Sequence, residues 1–169
     1  HQQNSETPLP VSTNTGIYDK QVTDIGTSVW NNYACAIAGD KLYCWGKNNY
    51  GQLGTGDNND RPRPFEVGAG SPIEGKKVEK ISLKGEHTCA IAEGRLYCWG
   101  RNIKSSVGDG TSNIKKRPVL IAGEDDRAVV NGRATNVDLS DGDSPSFGCA
   151  VISSKALSGG WWQTVGEPQ

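Results

Sequence analysis

Apolar and polar positions alternate along this chain in short blocks. Ala34-Cys35-Ala36-Ile37-Ala38 and Lys41-Leu42-Tyr43-Cys44-Trp45 are rich in branched and aromatic residues, and Gly39-Asp40 separates them. Such blocks joined by a two-residue glycine turn predict antiparallel strands, because the primed turns share the right-handed twist of the strands they connect. Glu93-Gly94 stands in the same place in a second pair of blocks. No stretch of about 11 residues or more holds a 3.6-residue period, and Gly, Pro, Asn or Asp interrupts the chain every few positions, so the expected local structure is β throughout. Residues 1–20 depart from the pattern. They are rich in Gln, Asn, Ser, Thr and Pro and read as a linker or surface arm.

The blocks repeat. Residues 34–48 read ACAIAGDKLYCWGKN and residues 88–102 read TCAIAEGRLYCWGRN, which places Cys35 and Cys89, Cys44 and Cys98, Trp45 and Trp99, and Asn48 and Asn102 each 54 positions apart. The match runs on through Leu53-Gly54-Thr55-Gly56 against Val107-Gly108-Asp109-Gly110 and through Arg61-Pro62 against Arg117-Pro118. Upstream, Val22-x-x-Ile25 answers Val78-x-x-Ile81. A third, decayed copy keeps Gly148-Cys149-Ala150-Val151-Ile152 and a Trp near its end but lacks the second cysteine. Repetition of a whole supersecondary unit implies stacked sheets, since one small sheet cannot bury both of its faces alone. The units lie near 22–67, 78–121 and 137–165, within a repeat domain of residues 21–169.

A two-residue turn at Gly39-Asp40 sets the hairpin register and places Cys35 opposite Cys44; the same count about Glu93-Gly94 places Cys89 opposite Cys98. Opposed residues of antiparallel strands have Cα atoms about 4.5–5.5 Å apart, within disulfide range. Zinc is the competing use of four cysteines, but ligands nine apart across a hairpin lack the usual close spacing of a zinc knuckle. Disulfides are therefore expected, and with them an oxidising, extracellular or cell-surface compartment. Cys149 is left as an unpaired thiol.

Residues 35–62, from Cys-Ala-Ile through Leu-Tyr-Cys-Trp-Gly-Lys-Asn-Asn-Tyr-Gly-Gln-Leu-Gly-Thr-Gly-Asp to Arg-Pro, resemble one repeat of the regulator of chromosome condensation family. Residues 87–118 resemble a second, and the region from Cys149 to Trp162 a third. The resemblance implies β-propeller blades of four antiparallel strands, here of a secreted bacterial type with a disulfide in each blade hairpin. Members of that family close a ring of seven blades, and this chain has material for two to three. The expected fold is all-β, with an incomplete ring. Either it is a fragment of a larger propeller, or its open blade faces are covered by its arm, its tail or other chains.

Composition narrows the function. The chain has 169 residues with 18 basic and 19 acidic side chains, a net charge of −1, which removes the electrostatic basis for a nucleic-acid partner or an anionic membrane. No apolar run approaches the roughly 18 residues needed to cross a bilayer, so no membrane contact is expected of this segment. There is no Met. A translation product begins with one, so a processed N-terminus is expected, with any signal or anchor already removed.

Histidine occurs only as His1 and His87, which excludes metal sites built on clustered histidines. The acidic groups Asp57-Asn58-Asn59-Asp60, Glu124-Asp125-Asp126 and Asp138 to Asp143 do not match a calcium-loop spacing and read as solvated turns. Neither metal nor cofactor is expected. His87 is the one candidate for a hydrolase base, but it lies two residues before Cys89 in a repeated strand, where Tyr33 fills the equivalent slot, and a packing position tolerates that exchange better than a catalytic one. Trp45 and Trp99 are repeat positions and belong in the core. Trp30, Trp161 and Trp162 lie outside the repeated string and are candidate interaction aromatics or plugs of the open stack.

These features point to a non-catalytic extracellular module that binds another protein or further copies of itself, such as the exposed domain of a bacterial surface filament, pilus subunit or adhesin. The alternatives are a secreted enzyme inhibitor of the β-lactamase-inhibitory propeller type, a piece of a seven-bladed propeller, and, less favoured, a hydrolase using His87. Nucleotide exchange on a nuclear GTPase fits neither paired cysteines nor neutral charge.

Overall fold

Gly39-Asp40 and Glu93-Gly94 reverse the chain with both residues of each turn at positive φ, 56° and 65° in the first and 50° and 73° in the second. That is the backbone of a primed hairpin turn, and it fixes register on either side. In the computed structural model, which describes residues 16–28, 31–121, 134–140, 147–152, 155–159 and 163–165, the hairpins grow into three four-stranded antiparallel sheets. The first holds β1 (Val22–Ser28), β2 (Tyr33–Ala38), β3 (Lys41–Gly46) and β4 (Arg61–Glu66) in that order. The second holds β5 (Val78–Lys84), β6 (His87–Ala92), β7 (Arg95–Gly100) and β8 (Lys115–Leu120). The third holds β9 (Ala134–Ser140), β10 (Phe147–Ile152), β11 (Lys155–Gly159) and β12 (Gln163–Val165). Each sheet is a propeller-type blade, and the set stays open.

Register is the same in the first two blades, as identical turns require. Cys35 faces Cys44 and Cys89 faces Cys98. Both ladders slip at the same place, between Cys44 and Gly46 and between Cys98 and Gly100. The slip needs glycine. At Gly46 and Gly100 φ is +105° and +104°, and a Cβ would lie 2.3 Å from the carbonyl oxygens of Asn32 and Glu86 respectively, closer than any side chain can approach.

Alternation along the strands sends each blade's two faces to different neighbours. Tyr33, Cys35, Ile37, Leu42 and Cys44 of the first sheet, with Leu53 and Val67, pack on Val78, Ile81, Leu83, Ala90, Ala92, Tyr97 and Trp99 of the second. The opposite face of the second sheet, Cys89, Ile91, Leu96 and Cys98 with Val107, packs on Ala134, Val137 and Leu139 of β9. All six residues of β6 are buried because it is covered on both sides. Side chains such as Ile37 and Ile91, at 0% exposure, stabilise the stack by about 1.5–3 kcal/mol each.

Candidate interaction surface

The joint between the first two blades is made by the loop from Lys47 to Asp60, and that loop is built around one side chain. Asn48 is fully buried; its Oδ1 accepts from the Leu53 backbone N–H at 3.0 Å. Its Nδ2 donates to the carbonyls of Asp57 and Asn59, each at 3.1 Å, and to Thr55 Oγ1 at 3.2 Å. Asp60 accepts from the Asn48 N–H and from Lys47. Burial works to raise the Asp57 carboxyl, but the Arg61 guanidinium, the Asn59 N–H and the Thr55 hydroxyl together hold it down at about 2. The second blade repeats the device: Asn102 accepts from the Val107 N–H at 2.9 Å and donates to the carbonyls of Thr111 and Asn113. The 54-residue spacing of Asn48 and Asn102 was the visible signal for this hub, though the spacing alone assigned it no task.

The organised loop then seats on the next blade. The Gln52 carbonyl accepts from Trp99 Nε1 and from Thr88 Oγ1, both at 2.9 Å. Gly54 lies flat on the indole: with φ at +73°, a Cβ there would sit 2.8 Å from Trp99 Nε1 and 2.9 Å from Val67 Cγ1. The Tyr33 hydroxyl donates to the His87 carbonyl at 2.7 Å. Trp99 is wholly buried as a result.

Among the described residues, the same face of the first blade has no such cover. Trp45, the repeat partner of Trp99, is only half-buried, and no acceptor for its indole N–H occurs among the described residues. Val22 is 49% exposed where Val78 is 3%, and Ile25 is 63% exposed where Ile81 is 8%. A groove of about 330 Å³ runs beside Trp45, lined by Thr27, Ser28, Asn32, Tyr33, Ala34 and Gly46. The other end of this face is covered. Residues 16–20, the last of the segment read as an arm, form a turn that buries Ile17 against Ala38 and Tyr43, with the Lys20 ammonium over the Tyr43 ring. Ile17-x-x-Lys20 stands 56 residues before Ile73-x-x-Lys76, the same interval as Val22 to Val78, so a sequence signal for this turn existed.

Disulfides join Cys35 to Cys44 and Cys89 to Cys98, with Cα atoms 4.1 Å apart in each pair. All four sulfurs lie in the faces turned toward the following blade. Cys149 occupies β10 opposite Ser158, so its hairpin offers no cysteine partner. Trp30, Trp161 and Trp162 lie outside the described residues. Of the two repeat tryptophans expected in the core, Trp99 is there and Trp45 stands at the open face, because the residues that would bury it are those of a preceding blade. His87 is 3% exposed, and its Nε2 has no hydrogen-bond partner among the described residues. Burial lowers its pKa to about 4, so the imidazole is neutral near pH 7. No group of three or more His, Cys, Asp or Glu side chains converges as metal ligands among the described residues, and no helix there is long and apolar enough to cross a membrane.

The family model for the regulator of chromosome condensation (RCC1) repeat matches residues 40–91. That stretch is similar to an RCC1 repeat. Its matched span runs from the turn before β3 to the end of β6, so one RCC1 repeat takes the last two strands of one blade and the first two of the next. Among curated relatives, the E3 ubiquitin-protein ligase HERC2 of Homo sapiens is 39% identical over 82 residues, 48% of this chain and 2% of that protein. The ultraviolet-B receptor UVR8 of Arabidopsis thaliana is 31% identical over 128 residues, 73% of this chain and 27% of the receptor. The chain therefore spans only a small part of these relatives. Human WBSCR16 superposes with a TM-score of 0.73 at 15% identity, covering 88% of this chain and 38% of that one. Yeast RCC1 (Prp20), in its complex with Kap60, gives 0.61 at 20% identity over 81% of this chain and 31% of the other. These likenesses establish the fold, a partial RCC1-type propeller.

Proposed function

We propose that this chain is a non-catalytic protein-interaction module that works outside the reducing cytosol, as the exposed domain of a surface filament, pilus subunit or adhesin. The observation that carries the proposal is the face of the first blade that no described residue covers, where Val22 and Ile25 are 49% and 63% exposed while their repeat partners Val78 and Ile81 are buried. Apolar surface of this kind, on a rigid support, is what a protein partner covers. Two buried disulfides suit an oxidising compartment. The structural neighbour Prp20p of Saccharomyces cerevisiae is described by its binding to Gsp1p and histones, and yeast RCC1 by its complex with Kap60, which supports binding as the use of this scaffold. A neutral, buried His87 with no hydrogen-bond partner on Nε2 among the described residues supports the non-catalytic reading.

The test is saturable binding of the oxidised protein to intact cells of its source and to sister surface subunits, with Ile25→Asp as the comparison. A loss of at least tenfold in Ile25→Asp is expected. Binding that is absent, or untouched by that substitution, overturns the proposal. Thiol labelling of the protein taken from its native source should find both cysteine pairs oxidised, and a reduced pool overturns the extracellular assignment.

A further inference from the structure

We infer that the cavity between the loops of the first two blades binds a single neutral sugar ring, such as the terminal residue of a glycan. The cavity measures about 210 Å³ and is enclosed by the β1–β2 and β3–β4 loops of the first blade and by Glu86 of the second. Its most buried lining residue is Gln52, at 1% exposure. The Gln52 Oε1 accepts the Tyr50 N–H at 2.9 Å, which orients the amide and leaves Nε2 with no hydrogen-bond partner among the described residues. The one described side-chain polar atom sealed from solvent without a partner is His87 Nε2, so the Gln52 amide is not sealed and opens onto the cavity its residue lines. A nearly buried donor that lacks an acceptor, on a concave surface, is a place where a ligand oxygen is stabilised.

The charges around the cavity are already paired. Lys47 Nζ meets Asp60 at 2.7 Å and Glu86 meets Arg101 at 2.9 Å, while the Arg101 guanidinium lies 4.7 Å from the centre of the Tyr50 ring and fixes that wall. What remains is neutral and polar. The side-chain amides of Asn31, Asn32 and Asn49 line the cavity with Gln52, and those three make no hydrogen bond among the described residues. Each amide offers an acceptor and two donors, and a sugar hydroxyl gives and takes in the same way, so a ring bearing several hydroxyls satisfies four amides where an ion or an apolar group does not. The volume suits one ring, being smaller than the roughly 300–1,000 Å³ of sites for drug-sized ligands. The fold does not require this set. Gly85, Glu86, Ile103, Lys104 and Ser106 stand 54 positions after Asn31, Asn32, Asn49, Tyr50 and Gln52, whereas the hub residue Asn48 recurs as Asn102. The site uses none of Val22, Ile25 and Trp45, so it stands or falls apart from the interaction reading above.

The probes are the methyl glycosides of galactose, mannose and N-acetylglucosamine, titrated into the full oxidised chain labelled with ¹⁵N, with the side-chain amide resonances as the readout. One ring held by a few hydrogen bonds binds at about millimolar Kd. At least one of the three sugars is expected to shift the Gln52 amide pair saturably. Asn49→Ala, at an exposed position, is expected to weaken that binding by about fivefold to tenfold, the worth of one hydrogen bond. Asn58→Ala, exposed on the same loop but outside the cavity, is expected to leave it unchanged. No saturable shift with any of the three sugars, equal affinity in Asn49→Ala, or an equal loss in Asn58→Ala overturns the site. A saturable shift with a capped neutral dipeptide or with adenosine, and with none of the sugars, overturns the ligand class. Ile25→Asp is expected to bind the sugar as the wild type does, so a failure at this cavity and a failure at the open face are read separately.

Discussion

Replacing Asn48 by alanine removes the side chain on which the whole first inter-blade loop is hung. The Leu53 N–H, fully buried, loses its acceptor, and the carbonyls of Asp57 and Asn59 lose the Nδ2 donor. A buried donor left unpaired costs about 1–3 kcal/mol, and two partly buried carbonyls that water can reach cost about 0.5–1 kcal/mol each, so the expected loss is about 2–5 kcal/mol. Asn48→Asp sharpens the test. It keeps the size and the acceptor for Leu53 but sets a carboxylate against two carbonyls and the Asp57 carboxylate, which lies 3.2 Å from Nδ2. It should therefore be at least as unstable as Asn48→Ala. Urea unfolding at pH 7 with the disulfides intact measures both, and the midpoint should fall without a change in slope. A loss below about 1 kcal/mol for Asn48→Ala, or wild-type stability for Asn48→Asp, would refute the hub, since total stabilities are only about 5–15 kcal/mol.

Other predictions follow from the same contacts. His87 is neutral when folded, with its pKa lowered to about 4, so the unfolded chain takes up a proton first as pH falls through about 6.5. Stability is thus lost between about pH 6.5 and 4, by about 3 kcal/mol, and urea midpoints across that range should show this slope in the wild type and lack it in His87→Gln. Trp99→Phe removes a fully buried indole and its bond to the Gln52 carbonyl and should cost about 2–3 kcal/mol, whereas Trp45→Phe at the open face should cost under about 1 kcal/mol; thermal unfolding separates the two. Removing either disulfide by paired Cys→Ala should cost about 2–3 kcal/mol, read by urea unfolding. Because the sulfurs are at 0–1% exposure, mild reductant should open neither bond until urea unfolds the chain, as thiol labelling would show.

Much of the architecture is local in origin and so legible from residues alone. A two-residue turn at positive φ determines which residues face one another across a hairpin, and the pairing of Cys35 with Cys44 and of Cys89 with Cys98 follows from counting outward from it. The 54-residue interval marks the blades for the same reason, since each blade spells its own turns and strands. The Asn48 hub was half visible: its spacing to Asn102 could be read, but its side chain's partners, on four residues, lie five to eleven positions away along a loop with no periodic signal.

What the local pattern could not decide is which copy of a repeated residue is buried. Trp45 and Trp99, Val22 and Val78, and Ile25 and Ile81 are the same residues in the same strands, yet one of each pair is covered and the other is not. The sequence by itself determined the sheet, the register, the disulfides and the identity of the residues on each face. Only the tertiary structure decided that the second blade's face is an interior and the first blade's a surface, because burial is conferred by the neighbour stacked upon a face, and the first blade has no neighbour on that side among the described residues.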